Sequence, residues 1–159
     1  MMAIKTKVII VALVICVAVL SLCAWKIGQS QEWFTSKGYL VELKPKESKS
    51  YLKKHPTGFV MLSWDEESRK VYLSHIKKIA EKKSITVSEL NFNQSSIGNR
   101  DQQTEYGIDP DQKLDSLAFY KDGKLKSQVF FDEDVKNLED LDSAIETFID
   151  DMTQIYGTD

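Results

Sequence analysis

Residues 58–70 read GFVMLSWDEESRK. Phe59–Trp64 is nearly all apolar, the pattern of a strand buried on both faces. Asp65, Glu66 and Glu67 follow at once, then Ser68, Arg69 and Lys70. Ser63 and Glu66 have capping-box spacing, and Asp65 and Ser68 share it more loosely. Tyr72, Ile76, Ile79 and Lys83 then fall on one helical stripe, broadened by Val71 and Ala80. The stretch predicts a buried strand running directly into a helix with an acidic first turn.

Working outward, GYLVELKP (38–45) alternates in part and predicts a first strand ending at Pro45. SKSYLKK (48–54) predicts a short helix closed by His55 and Pro56. ITVSELNF (85–92) reads as a third strand, and 93–107 as a polar, turn-rich stretch with a short helix before Gly107. LAFY (117–120), KDGK (121–124) and LKSQVFF (125–131) read as strand, hairpin turn and return strand, with Asp122-Gly123 as the turn signal. From about Asn137, Leu138, Leu141, Ile145, Phe148, Met152 and Ile155 recur at three and four, predicting a last helix. The order is β-α-β-α-β-(α)-β-β-α. Crossover helices favour parallel strands and the terminal hairpin is antiparallel. The expected class is α/β, a mixed central sheet flanked by helices.

These strings, in this order, resemble the thioredoxin-like superfamily over roughly residues 38–155. That family has an apolar strand ending in Trp, then a Cys-x-x-Cys pair and a basic residue opening a helix. Trp64-Asp65-Glu66-Glu67-Ser68-Arg69 matches it with Asp65 at the first Cys position and Ser68 at the second. ELNFNQ (89–94), EYGI (105–108) and LAFYKDGK (117–124) resemble its third strand, its approach to the active-site loop and its hairpin. The family's cis-proline falls at Asp115, followed by Ser116; Pro110 is nearby but out of place. Without proline a cis bond costs about 2.5–4 kcal/mol, so a trans bond and a remodelled loop are expected at Asp115. Thiol–disulfide exchange needs a thiolate, which Asp65 and Ser68 cannot supply. The resemblance therefore implies a degenerate, redox-inactive member, not an enzyme. The bacteriocin-transport accessory proteins are the type within the superfamily that it resembles most.

The beginning of the chain has a different character. VIIVALVICVAVLSLCAW (8–25) carries no charge, with Lys5 and Lys7 before it and Lys26 after. About 18 or more apolar residues can cross a bilayer as one helix, and the stretch through Gly28 leaves margin for tilt. The reading is a transmembrane signal anchor over 1–28 with a short cytoplasmic end, a polar spacer over 29–37 and a thioredoxin-like domain over 38–159. It places the chain in the bacterial cell membrane, single-pass, with its C-terminal domain extracytoplasmic and residues 8–28 in contact with lipid. A lipoprotein acylated at Cys23 is the alternative. Cys16 and Cys23 are the only two cysteines. The domain therefore has neither disulfide nor thiol nucleophile.

Charge is uneven along the 159 residues. Residues 33–130 carry 17 Lys/Arg against 13 Asp/Glu, and 131–159 carry one Lys against ten Asp/Glu. The acidic end reads as a solvated helix or as a docking face for a basic partner. The net charge of −3 argues against nucleic acid. KPKESKSYLKK (44–54) is the basic patch and reads as a solvated face near the first helix, with an anionic lipid surface as the alternative. His55 and His75 lack partners at metal-ligand spacing, and Gly98 and Gly107 are too isolated for a nucleotide motif. No cofactor, metal or catalytic residue is assigned. A helix N-terminus favours anions, so the opening acids cap a retired active site or form a recognition surface. That surface comprises Trp64, Asp65, Glu66, Glu67, Ser68, Asp115 and Ser116, facing an envelope-complex protein or a secreted peptide. Self-association is left open. The expected function is a non-catalytic binding or scaffolding subunit assisting a secretion, bacteriocin-export or conjugation machine. An oxidoreductase-associated enzyme or an immunity-type protein is the alternative.

Overall fold

The computed structural model describes residues 39–94 and 100–157. Five strands, β1 (Tyr39–Glu42), β2 (Gly58–Ser63), β3 (Thr86–Asn91), β4 (Ser116–Lys121) and β5 (Lys124–Phe130), form one sheet in the order β1-β3-β2-β4-β5. β3 runs parallel to both β1 and β2; β4 is antiparallel to β2 and β5. The helices are α1 (Pro45–Lys54), α2 (Glu66–Lys83), the single turn α3 (Phe131–Asp134) and α4 (Leu141–Tyr156). 3-10 turns at Arg100–Tyr106 and Leu138–Asp140 complete the order.

The apolar run in β2 is buried on both faces because successive side chains point to opposite sides. Phe59 and Met61 join α2 and α4 in one core, with Ile76, Ile79, Ile145 and Ile149. Val60 and Leu62 join the other, with Leu90, Phe92, Ile108 and Tyr120, against which Leu52 of α1 packs. The Asp122-Gly123 turn has φ of 55° and 74°, the left-handed pair a two-residue hairpin requires.

Several boundaries shift for local reasons. α1 starts at Pro45, which sits in its first turn, where proline's fixed φ and missing N–H cost nothing. The last helix begins at Leu141, after α3 and a 3-10 turn, so Leu138 and Ile155 lie exposed at the ends of the predicted stripe. Asp65 is the N-cap of α2, with its carboxylate accepting the Ser68 N–H at 2.8 Å. Ser63 does not complete a capping box, because its hydroxyl donates to Glu89 instead.

Among the described residues no helix is long and apolar enough to cross a membrane. α2, the longest, has charged residues along one side, and α4 carries Asp142, Glu146, Asp150 and Asp151. The expected N-terminal transmembrane helix is therefore not borne out among the described residues. Nor are the signal anchor, the lipid partner at residues 8–28 and the single-pass cell-membrane localisation borne out there. The segment 1–28, the spacer 29–37, and Cys16 and Cys23 themselves lie outside the described residues.

Candidate functional site: the cleft at the start of α2

β2, the middle strand, delivers Trp64 and Asp65 just past its C-terminal end, where the segment leading into β4 meets them. Asp115 occupies the left-handed region at φ 54°, which Asp tolerates better than most residues. That conformation aims its carboxylate across the gap: Trp64 N–H donates to Asp115 Oδ1 at 2.8 Å. No peptide bond among the described residues is cis. Burial raises the Asp115 pKa above its usual value, with the Trp64 and Asp65 N–H groups working against burial. The nearby Asp132 and Asp65 carboxylates add to the rise. Asp65 goes the other way, its pKa lowered by the N–H and hydroxyl of Ser68.

An open cleft of about 900 Å³ lies here. Trp64, Asp65, Asp115, Pro110, Phe130 and Glu133 are among the residues that line it. Its loop wall is pinned. Buried Gln112 donates to the Val60 carbonyl at 3.0 Å and accepts the Tyr120 hydroxyl at 2.8 Å, while Gln103 donates to the Gln112 carbonyl at 3.0 Å. Gln128 donates to the Asp111 carbonyl at 2.9 Å. Lys113 lies 3.0 Å from Glu133 and 4.9 Å from the centre of the Phe130 ring. The remaining acids, Asp65, Asp111, Asp115 and Asp132, leave the cleft negative.

The other expected site residues lie elsewhere. Glu66 pairs with Arg69 at 3.7 Å, and Glu67 is exposed on the first turn. Ser68 gives its N–H to Asp65. Ser116 is fully buried, donating to the Lys113 carbonyl at 2.6 Å.

Beneath the first turns of α2 is a charged cluster that the sequence reading passed over. Glu89 is 1% exposed. It accepts Arg69 Nε at 2.9 Å and Nη2 at 3.2 Å, together with the Ser63 hydroxyl. Arg69 also reaches Glu42 at 3.5 Å. The signal was present: β3 alternation puts Val87, Glu89 and Asn91 on the α2 face, where an acid needs a cation. Among the described residues no group of three or more His, Cys, Asp or Glu is placed to hold a metal ion.

The sheet is ordered β1-β3-β2-β4-β5, with two parallel crossovers, a terminal hairpin and flanking helices. The fold is thioredoxin-like. Thioredoxin f2 of Chlamydomonas reinhardtii is similar at 14% sequence identity, over 78% of this chain and 100% of that one, with a TM-score of 0.48. No protein-family model matches the chain, and no curated protein matches it.

Proposed function

We propose that the thioredoxin-like body is a non-catalytic module that holds an extended, basic polypeptide in the cleft beside Trp64. The carrying observation is the cleft itself: about 900 Å³, open, walled by Trp64 and Phe130 and lined by an excess of acids. Residues that would attack a disulfide elsewhere in this superfamily are here a helix cap and a hydroxyl residue. Trp64 supplies a broad apolar face, and the acids complement lysine or arginine. A client at a secretion, bacteriocin-export or conjugation machine is the narrower form of this reading. It rests only on the sequence strings.

The test is a titration of the full-length chain with an alternating Lys–Ala peptide and with its Glu–Ala counterpart, followed by amide chemical shifts. The Lys–Ala peptide is expected to shift Trp64, Asp111 and Asp132 together. Equal binding of both peptides, or shifts elsewhere only, overturns the reading.

The fold favours one second reading, an oxidoreductase-associated role in which another protein supplies the thiols. In that case the chain accelerates oxidation of a dithiol protein by glutathione disulfide, and continues to do so as the Cys16→Ser/Cys23→Ser variant. The binding-module reading predicts no acceleration from that variant.

A further inference from the structure

At the opposite end of β2 from the cleft, α1, the start of β2 and the β4–β5 turn enclose a second pocket of about 370 Å³. That lies within the range of small-molecule sites, roughly 300–1,000 Å³. Its floor is apolar: Leu52, buried Val60 and the ring of buried Tyr120. Lys49 and Lys53 stand on its rim, one helical turn apart on the same face as Leu52.

The walls are fixed independently of any ligand. The Ser48 hydroxyl, shared between the Pro45 carbonyl at 2.8 Å and the Tyr106 carbonyl at 2.9 Å, ties α1 to the segment that ends in Gly107. Gly107 has φ +82°, and a Cβ there would stand 3.0 Å from the Lys49 Cα, so only glycine permits this approach. Across the pocket, Gly123 N–H donates to the Pro56 carbonyl at 2.7 Å and Asp122 N–H to the Thr57 hydroxyl at 3.1 Å. Tyr120 cannot swing its hydroxyl inward, because it is held by Gln112 and by the Asp109 N–H at 3.0 Å.

The charges are less settled than the walls. Lys49 and Lys53 repel each other at this spacing, and among the described residues neither has an acidic partner within ion-pair distance. Asp122 on the far wall is the one acid in the lining. The carboxyl end of α1 adds about half a negative charge, which two full positive charges outweigh.

We propose that this pocket binds a small amphiphilic carboxylate. Its apolar body rests on Leu52, Val60 and Tyr120, and its carboxylate sits between Lys49 and Lys53. The cleft beside Trp64 plays no part, so the two sites stand or fall separately.

Calorimetric titration of the full-length chain with octanoate and with 1-octanol tests the proposal. Octanoate is expected to bind one to one. Lys49→Gln/Lys53→Gln is expected to weaken octanoate roughly tenfold or more while leaving 1-octanol unchanged. Leu52→Phe, which fills the floor, weakens both. Near-UV circular dichroism checks that each variant keeps the fold, and the salt dependence of octanoate binding to the unaltered chain gives an independent readout of the lysines. No saturable heat, or octanoate affinity unmoved by the lysine pair or by Leu52→Phe, overturns the proposal.

Discussion

The two ends of α2 handle charge in opposite ways. At its start, Asp65 and Asp115 spend their carboxylates on backbone N–H groups, and Arg69 is drawn under the helix to buried Glu89. Over its second half, the lysines face the acids of α4 in an exposed ladder: Lys78 with Asp142, Lys82 with Glu146 at 2.7 Å, and Lys83 with Asp150 at 2.7 Å. His75 joins it with Nδ1 2.6 Å from Asp142 Oδ1. In the sequence both ends look like ordinary charge runs. Burial decides which of them matters to stability, and it leaves the first end with the cleft and the second with its charges matched internally.

The sharpest way to break this comparison is Arg69→Met. It strands the Glu89 carboxylate inside the sheet–helix layer, and losing one partner of a buried pair costs about 3–5 kcal/mol. Urea unfolding should show that loss, and Arg69→Met/Glu89→Leu should recover most of it. A loss no larger than that of a surface lysine would mean that the buried cluster is not what fixes this end.

A pH profile separates the two ends by sign. Asp115 has a raised folded pKa, so the folded state holds its proton to higher pH than the unfolded chain. Stability from this group therefore falls as pH rises from about 4 through the raised value, with a slope of at most about 1.4 kcal/mol per pH unit. Asp115→Asn keeps an acceptor for Trp64 and removes that fall, so the variant should gain on the parent chain as pH rises. Asp142 has a lowered pKa, caused by Lys78 and then His75. Its contribution is present above the unfolded value, near 4, and is lost as pH falls through the lowered one. Asp142→Asn should therefore be the weaker chain at pH 7 and match the parent in acid. Parallel profiles would contradict the contrast.

Tyr72→Phe is a smaller probe of the first end. The phenol is raised to about 12, first by burial and then by Asp132, to which it donates at 2.8 Å. Removing one hydrogen bond should cost about 0.5–1.5 kcal/mol in urea. The ladder should respond least: Lys78→Gln is expected to cost about 1 kcal/mol or less, and added salt should erase the difference.

Much of the fold was legible because its signals are local. An apolar β2 run, the stripe on α2 and Asp122-Gly123 each specify their own element, and their order gives the sheet. The misjudged details depended on partners distant in sequence. Ser63 has capping-box spacing, yet its hydroxyl goes to Glu89, 26 residues away. Ser116 was placed on the recognition surface, but the Lys113 turn and Gln128 draw it inside. The acidic end read as a solvated or docking face; that Asp142, Glu146 and Asp150 on it pair with α2 lysines some 64–67 residues back is what the spacing did not show. Glu89 was read simply as part of the third strand, and only the β2–β3 register reveals what it faces.

The central claim is that the molecule grips a polypeptide at the first end of α2 and not along the second. Photo-crosslinkers at Glu133 in the cleft and at Lys78 on the ladder make a fair pair, since the two side chains are 65% and 68% exposed. They would be placed in the full-length chain in the cells that make it, and the adducts identified. The account predicts a polypeptide adduct from Glu133 that the Lys78 position does not give. Adducts from Lys78 alone, or the same adducts from both positions, would contradict it.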